Sequence, residues 1–420
     1  MENKKMSLRG LCSRAGGLVI GVIIGAVVAG GLFTAGATDL GEFAKVSPFN
    51  VRSMWLMKQA RSIVETYQVD SGTKEVKEED LLYGAVKGMV AAWGDPYTRF
   101  VEPAQLAEEE IEMEGRYGGL GIYIGQRDGK TLVISPIEDT PADRAGLKPN
   151  DQIVKIGDDI ILGWDSQRVV KELRGEPGVV VTIWVRREGE EELLEFAIER
   201  EIIKIKSARW EMMEGDLGYL KLTHFKQNTA EEFGAGLEEL IEEGAKGLIL
   251  DLRNNGGGLL NGAMEISDMF LDGGTVVVIS GKVASINDEV LASPGTVTDL
   301  PMVVLINEGS ASASEIVAGA LVDRGRALSV GKKTFGKGSV QTLFNLGDDC
   351  GLYVTIARYR TPSGRIIDHE GLEPDIEVEG EVAKDVEDDE QLKRAKSELR
   401  DLISGKAVTA PRPKVASDDQ

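Results

Sequence analysis

Between Asn307 and Gln341 the chain carries three serines at alternate positions, Ser310, Ser312 and Ser314, and a lysine, Lys337, isolated between two glycines. A serine hydroxyl becomes a nucleophile only when a base takes its proton. The two histidines, His224 and His369, stand far apart in contexts that suggest no such role, so a lysine is the available base. An ordinary lysine, with a pKa near ~10.4, is protonated at neutral pH, whereas a desolvated one is less favourably charged. The flanking Gly336 and Gly338, with Phe335 close by, suit a stem threaded into a tight apolar site. Blander readings fit the same residues. Ser312-x-x-Glu315 has the form of a helix capping box, and Lys337 that of a lysine on a surface loop. A phosphate-binding loop is excluded, because Gly338 stands where Ser or Thr is required and the next residues, SVQTLF, have strand character.

The elements around this stretch alternate between strands and helices. LGYLKLTHF is a strand, 230–243 an amphipathic helix, and KGLILDLRNN an apolar strand buried on both faces. It runs into Asn254-Asn255-Gly256-Gly257-Gly258 and a further helix, a geometry that offers free N–H groups to an oxyanion. Strand MVVLIN then delivers the chain to Asn307. The expected organisation is α/β and multi-domain. It comprises a basic flank (1–14), a signal-anchor helix (15–38), a helical region (40–112), a β-rich domain with two helices (113–202), an α/β core (203–380), a C-terminal helix (381–405) and a disordered tail (406–420).

Residues 113–202 resemble a PDZ domain: Gly119-Leu120-Gly121-Ile122 matches that family's carboxylate-binding loop, and ADRAGLKPNDQIVKIG follows. Physically, glycines let successive N–H groups converge on a terminal carboxylate while the next strand offers its edge to a peptide. From about residue 45 to 400 the chain resembles the carboxyl-terminal processing (tail-specific) proteases, serine peptidases with a Ser-Lys dyad. The resemblance rests on GAVKGMVAAWGDPYTRF, LDLRNNGGGLL, NEGSASASEIVAGAL, TFGKGSVQ and TPSGRIIDHEGLEPDI. It implies a crotonase- and Clp-protease-like core, with Ser312 as nucleophile, Lys337 as base and Gln341 orienting the lysine. The oxyanion donors it implies are the N–H groups of Ala313 and of Gly258 or Gly257. Arg174 matches an arginine through which the PDZ domain gates the site. The glycine at 256 replaces a proline common in the family. Asp251, Arg253 and Glu315 match the motifs and are assigned to strand-end pairing and helix capping.

Bulk properties limit the alternatives. With 48 basic and 70 acidic side chains the net charge is −22, which argues against nucleic-acid binding. Cys12 and Cys350 do not suggest a disulfide, no spacing suggests zinc, and no cofactor is expected. Lys4, Lys5, Arg9 and Arg14 precede the uncharged run 15–38, which is long enough to span a bilayer. The basic flank should stay cytoplasmic, leaving the rest outside, on the periplasmic side of an inner membrane. Small residues at Thr34-Ala35-Gly36-Ala37 would also permit cleavage. The expected partners are polypeptides with exposed apolar C-termini, an activating adaptor protein and a second copy of the chain. The competing functional readings are a catalytically inactive PDZ adaptor and an acyl-thioester enzyme of the crotonase type.

Overall fold

The computed structural model describes residues 51–69, 76–127, 129–380, 382 and 388–406. The expected anchor over 15–38 lies outside these residues, as does the tail after Lys406. Among the described residues no helix is long and apolar enough to cross a membrane. The described residues divide into two compact units between Leu81 and Leu82.

In chain order the elements are α1 (Val51–Tyr67), α2 (Glu78–Ala91), β1 (Arg99–Val101), α3 (Pro103–Glu114), β2 (Arg116–Gly119), β3 (Ile122–Arg127), β4 (Lys130–Pro136), α4 (Pro141–Arg144), β5 (Gln152–Ile156) and β6 (Asp159–Ile160). There follow α5 (Ser166–Leu173), β7 (Val180–Arg186), β8 (Leu194–Glu199), β9 (Glu201–Lys204), β10 (Ala208–Met213), β11 (Leu217–Leu222), α6 (Thr229–Glu242), β12 (Gly247–Asp251) and α7 (Leu260–Asp268). The chain closes with β13 (Thr275–Gly281), β14 (Asp288–Leu291), β15 (Met302–Ile306), α8 (Ala313–Asp323), β16 (Leu328–Gly331), β17 (Ser339–Gly347), β18 (Cys350–Arg360), β19 (Ile376–Glu377) and α9 (Glu390–Ile403).

The stretch 40–112 is not helical throughout. Arg99–Val101 pairs antiparallel with β18, Arg99 opposite Tyr353, because its backbone groups find a strand edge there and Phe100 and Val101 are buried by it. The C-terminal helix starts at Glu390 rather than 381, where the Asp389 side chain accepts the Leu392 N–H at 2.9 Å.

The β-rich part is an antiparallel sheet, β3-β4-β5-β7-β8 with β6 on β5, closed by α4 and α5 over a core that includes Val133, Ile153, Val169 and Ile183. An antiparallel ribbon, β2 with β9, connects it to the α/β core. There the sheet order is β10-β11-β12-β15-β16-β19, parallel except at β10. Successive side chains on a strand face opposite sides. In β12, Leu248 and Leu250 join the cluster beneath α6, α7 and α8, while Ile249 joins Leu392, Ala395 and Leu399 of α9 on the other face. A strand covered on both sides must be apolar throughout, which explains GLILD and MVVLI. A second, antiparallel sheet, β1-β18-β13-β14 with β17 on β18, contributes Val277, Ile279, Ala357 and Tyr359 to the cluster that holds α7 and α8. Helix α8 is therefore buried almost all round, from Ala313 to Leu321.

One buried charge network joins the strand ends to α9. Asp251 accepts from Arg253 Nε (2.9 Å) and Nη2 (2.7 Å) and from Tyr219 (2.7 Å), and Arg253 Nη1 reaches Asp389 (2.9 Å). Burial pushes the Asp251 carboxyl up, but the hydrogen bonds and charge of Arg253 outweigh it and hold the group below the ordinary aspartate range. A depressed carboxylate stabilises the fold above its unfolded pKa, and that contribution is lost as pH falls below about 3.9. Arg253→Met should cost about 3–5 kcal/mol by taking the guanidinium from two buried carboxylates, Asp251 keeping Tyr219 and, at 3.9 Å, Lys221. Urea denaturation checks the cost, and the variant's stability should also fall less than wild type's on acidification.

Candidate active site

The loop after β15 is tied to the loop after β12 by the side chains of Asn307, Ser310 and Ser314. Asn307 Oδ1 accepts the Asn254 N–H (2.8 Å) and its amide donates to Asn254 Oδ1 (2.9 Å). Ser310, fully buried, donates to the Leu252 carbonyl (2.8 Å), and Ser314 donates to the Asn255 carbonyl (2.8 Å). Two of the three serines are thus spent on holding the loops together. Ser312 differs: it is partly exposed and its hydroxyl makes no cap hydrogen bond. The capping is done by main-chain atoms and by Glu315, whose N–H bonds to the Ser312 carbonyl (2.8 Å) while its carboxylate accepts the Ser312 N–H (2.8 Å).

Ser312 sits at φ 55°, ψ −115°. Such a conformation is strained for a residue with a Cβ and persists only where its surroundings over-determine it. It turns the side chain out at the start of α8, beside the helix N-terminus. The glycine loop approaches closely: a Cβ on Gly257 would lie 2.8 Å from Ser312 Cβ and 3.0 Å from the Ala313 nitrogen, so no larger residue fits. The N–H of Gly257 is committed to Asn255 Oδ1 (2.9 Å). Phe225 brackets the next residue, donating its N–H to the Gly257 carbonyl (3.0 Å) and accepting the Leu259 N–H (2.8 Å). The N–H groups of Ala313 and Gly258 have no hydrogen-bond partner among the described residues.

Glu315 joins the two halves of the site. Its side chain is fully buried and accepts four hydrogen bonds, from Ser312 N (2.8 Å), Thr334 Oγ1 (2.6 Å), Gly336 N (2.8 Å) and Lys337 N (2.9 Å). Burial pushes its carboxyl above the ordinary range, against the opposing pull of these four donors. The Lys337 loop runs against the following chain so closely that a Cβ on Gly338 would lie 2.4 Å from the Asp368 nitrogen. Tyr359, buried on β18, donates its hydroxyl to the Lys337 carbonyl and is also hydrogen-bonded to Ser312. Burial lowers the pKa of Lys337, and the nearby Arg99 charge lowers it further. Its Nζ lies 4.8 Å from the centre of the Tyr97 ring and makes no hydrogen bond to Ser312 among the described residues.

Gln341 points elsewhere than expected. Its Nε2 donates to Ser339 Oγ (2.9 Å) and Thr355 Oγ1 (3.3 Å), not to Lys337. Alternation fails here because Lys337 precedes β17 and the register with β18 slips between Val340 and Gln341.

In the β-rich domain Leu120, Gly121 and Ile122 line a groove with Val170, Leu173 and Arg174. Gly119 ends β2 just before it. The carbonyls of Leu120 and Gly121 are taken by Ala142 N–H (2.9 Å) and Ile137 N–H (2.8 Å), and among the described residues the N–H groups of these two have no backbone partner. Arg174 stacks on the Tyr117 ring at 4.6 Å, at the groove and not against Ser312 or Lys337.

Residues 216–378 match peptidase family S41 and residues 118–198 match the PDZ domain. A carboxy-terminal-processing protease of Bartonella bacilliformis is 38% identical over 78% of this chain and 76% of its own length. The chain belongs to peptidase family S41. It is a serine peptidase carrying a PDZ domain. The chloroplastic carboxyl-terminal-processing peptidase 3 of Arabidopsis thaliana is 36% identical, over 77% of this chain and 64% of that protein. Among solved structures, the photosystem II D1 C-terminal processing protease aligns with 30% identity and a TM-score of 0.47, covering 82% of this chain and 97% of that one.

Sequence reasoning gave Glu315 only a capping role and did not single out Tyr97 or Tyr359. Tyr97 lies inside GDPYTRF, whose dense turn chemistry was the available signal; Tyr359 had none, being one aromatic in an apolar strand. Glu315→Gln keeps the size but leaves one acceptor oxygen and aims an NH2 at donors. It should lower kcat by about 100-fold through misplacement of the site and cost about 1–3 kcal/mol of stability, as read by steady-state kinetics and thermal unfolding.

Proposed function

We propose that this peptidase captures the C-terminus of an unfolded polypeptide in its PDZ groove and cuts the chain upstream with Ser312 and Lys337. The observation that carries the catalytic assignment is the Glu315 carboxylate, which bonds the main-chain N–H of both residues. In the reaction the neutral Lys337 amine takes the Ser312 proton as Oγ attacks the scissile carbonyl. The unspent N–H groups of Ala313 and Gly258 receive the oxyanion at the start of α8. The lysine then protonates the leaving amine; the Lys337 amine, neutral again, takes a proton from water as it attacks the acyl carbonyl and returns it to Ser312 Oγ as the acyl–Oγ bond breaks. For this, Nζ leaves the Tyr97 ring and swings to Ser312, where the Gln341 side-chain oxygen is available to orient it.

The groove suits an apolar C-terminus, with Leu120, Ile122, Val170 and Leu173 around the side chain and the N–H groups of the 119–122 loop for the carboxylate. Arg174 is the proposed gate. A physical route for gating runs from the PDZ hinge to the oxyanion loop. Gln227 N–H bonds to the Met113 carbonyl (3.0 Å), Ile205 N–H to that of Gly115 (2.9 Å), and Phe225, two residues before Gln227, brackets Gly258. A ligand that shifts the hinge then biases the oxyanion loop.

We also propose that the run 15–38 anchors the chain with its catalytic part outside the cytoplasm, on the strength of its length and basic flank. Homodimerisation through the N-terminal helices, favoured by exposed Met54, Trp55, Ile63 and Val64 of α1, and activation by an adaptor protein complete the reading.

The test is cleavage of an unfolded protein with an apolar C-terminus. Ser312→Ala and Lys337→Ala should each lose about 10³-fold or more of kcat, and amidating the substrate's C-terminus should raise KM. Binding without cleavage by wild type would point to an adaptor instead. An Arg174→Ala variant with fully peptide-stimulated turnover would remove the gate. The acid limb of kcat/KM should lie below the ordinary lysine value of about 10.4, because the lowered pKa of Lys337 leaves more neutral amine at a given pH.

A further inference from the structure

The turn 94–99 belongs to no strand or helix until Arg99, yet it is closely built. Asp95 Oδ1 accepts the Tyr97 N–H (3.1 Å) and Oδ2 accepts the Thr98 hydroxyl (2.6 Å). Thr98 Oγ1 in turn accepts the Thr355 N–H of β18 (3.1 Å). Arg99 makes two hydrogen bonds to Glu109 (2.9 and 2.8 Å) and lies 4.5 Å over the Tyr353 ring. Thr98, through Thr355, and Arg99, over Tyr353, thus fix the turn to the sheet that carries Lys337's neighbours. The one side chain this platform projects toward the base is Tyr97, whose ring faces Nζ at 4.8 Å.

We propose that Tyr97 is a positioning residue for the base: its ring holds the protonated Lys337 side chain away from Ser312 and releases it when the proton is lost. The inference rests on Lys337 being the general base. A π-face attracts an ammonium through its quadrupole but has no comparable hold on a neutral amine. One contact therefore couples the charge of the lysine to its place. The protonated side chain is parked on the ring, and the neutral amine, the form able to take the Ser312 proton, is free to swing.

The other charged and titratable groups around Lys337 come from each packed element: Arg99 of β1, Asp95 of the turn, Glu315 of α8, Tyr359 and Arg358 of β18, and Asp368 of the following loop. Arg99 is the charge that acts on Lys337 itself, lowering its pKa after burial. Glu315 is held by its four donors, and Asp368 is paired with Arg358 (2.6 Å). Tyr359 meets Lys337 through its hydroxyl, at the main-chain carbonyl, and the face over Nζ is that of Tyr97.

The experiment is the pH profile of kcat/KM on a short unfolded peptide for full-length wild type, Tyr97→Leu, Tyr97→Phe and Tyr97→Trp, with Lys337→Ala alongside. Leucine keeps the site apolar but removes the π-face. Its acid limb should move to lower pH by roughly 0.4–1.5 units, the range of a cation–π contact expressed as a pKa change. Phenylalanine keeps the face and should leave the limb in place. Tryptophan, the stronger π-partner, should move it up. Opposite shifts in two variants do not arise from misfolding, and the Phe and Trp arms suffice if the Leu variant does not fold. An unmoved limb in Tyr97→Leu, a Phe limb displaced as far as the Leu one, or a Trp limb that fails to rise overturns the proposal while Lys337→Ala is inactive. Retained activity in Lys337→Ala instead overturns the base assignment, and this inference with it.

Discussion

The buried carboxylate of Glu315 is the constraint on which the site depends. An ionised carboxylate without solvent is costly unless its lone pairs are satisfied, and here four donors satisfy them. Two of those donors are the main-chain N–H groups of the proposed nucleophile and the proposed base. The separation between Ser312 and Lys337 is thus set at the backbone, by a group that cannot let go of either without leaving charge unpaired. The side chains remain free to move, which the chemistry needs.

Around that clamp, each neighbour removes a degree of freedom. Ser310 and Ser314 attach the proposed nucleophile loop to the glycine loop, so the strained backbone of Ser312 is held by its neighbours as well as by its own bonds to Glu315. Gly257 allows the two loops to touch, and Asn255 takes its N–H, leaving Gly258 and Ala313 as the unspent donors. Helix α8 has no solvent face on which to rotate, because two sheets enclose it. The Asp251–Arg253–Asp389 network then joins the strand ends beneath the site to α9. Rigidity here comes from dense hydrogen bonding between the loops and from burial on both faces of the sheet.

The PDZ domain connects to this frame through few contacts, the β2–β9 ribbon and the bonds from Met113 and Gly115 to Ile205 and Gln227. A sparse connection is mechanically suited to a reader that moves. Its groove is apolar with backbone donors at one end, and the neighbouring Phe225 supports the glycine loop. The proposed base, Lys337, rests over Tyr97 instead of on Ser312, so the proposed dyad is completed by a side-chain rotation.

Much of this was legible in the sequence, for a reason that is local. Apolar runs such as GLILD and MVVLI must be strands covered on both sides, the glycine loop between strand and helix must expose N–H groups, and the PDZ carboxylate loop and the SASAS and FGKG motifs mark where candidate residues lie. Other features were decided only by tertiary structure. Which of three neighbouring serines is left out of the bonds to the loop after β12 depends on carbonyls supplied from about sixty residues upstream, on the scale of a loop closure that costs little with length. That Gln341 turns to Ser339 and Thr355 depends on a register slip against β18, which strand alternation does not encode. That Glu315 is a clamp and Tyr97 a rest for the base depends on chain segments far apart in sequence meeting at one carboxylate and one ring. Local propensity fixes what each segment becomes, whereas hydrogen-bond partners and charge environments belong to the assembled fold.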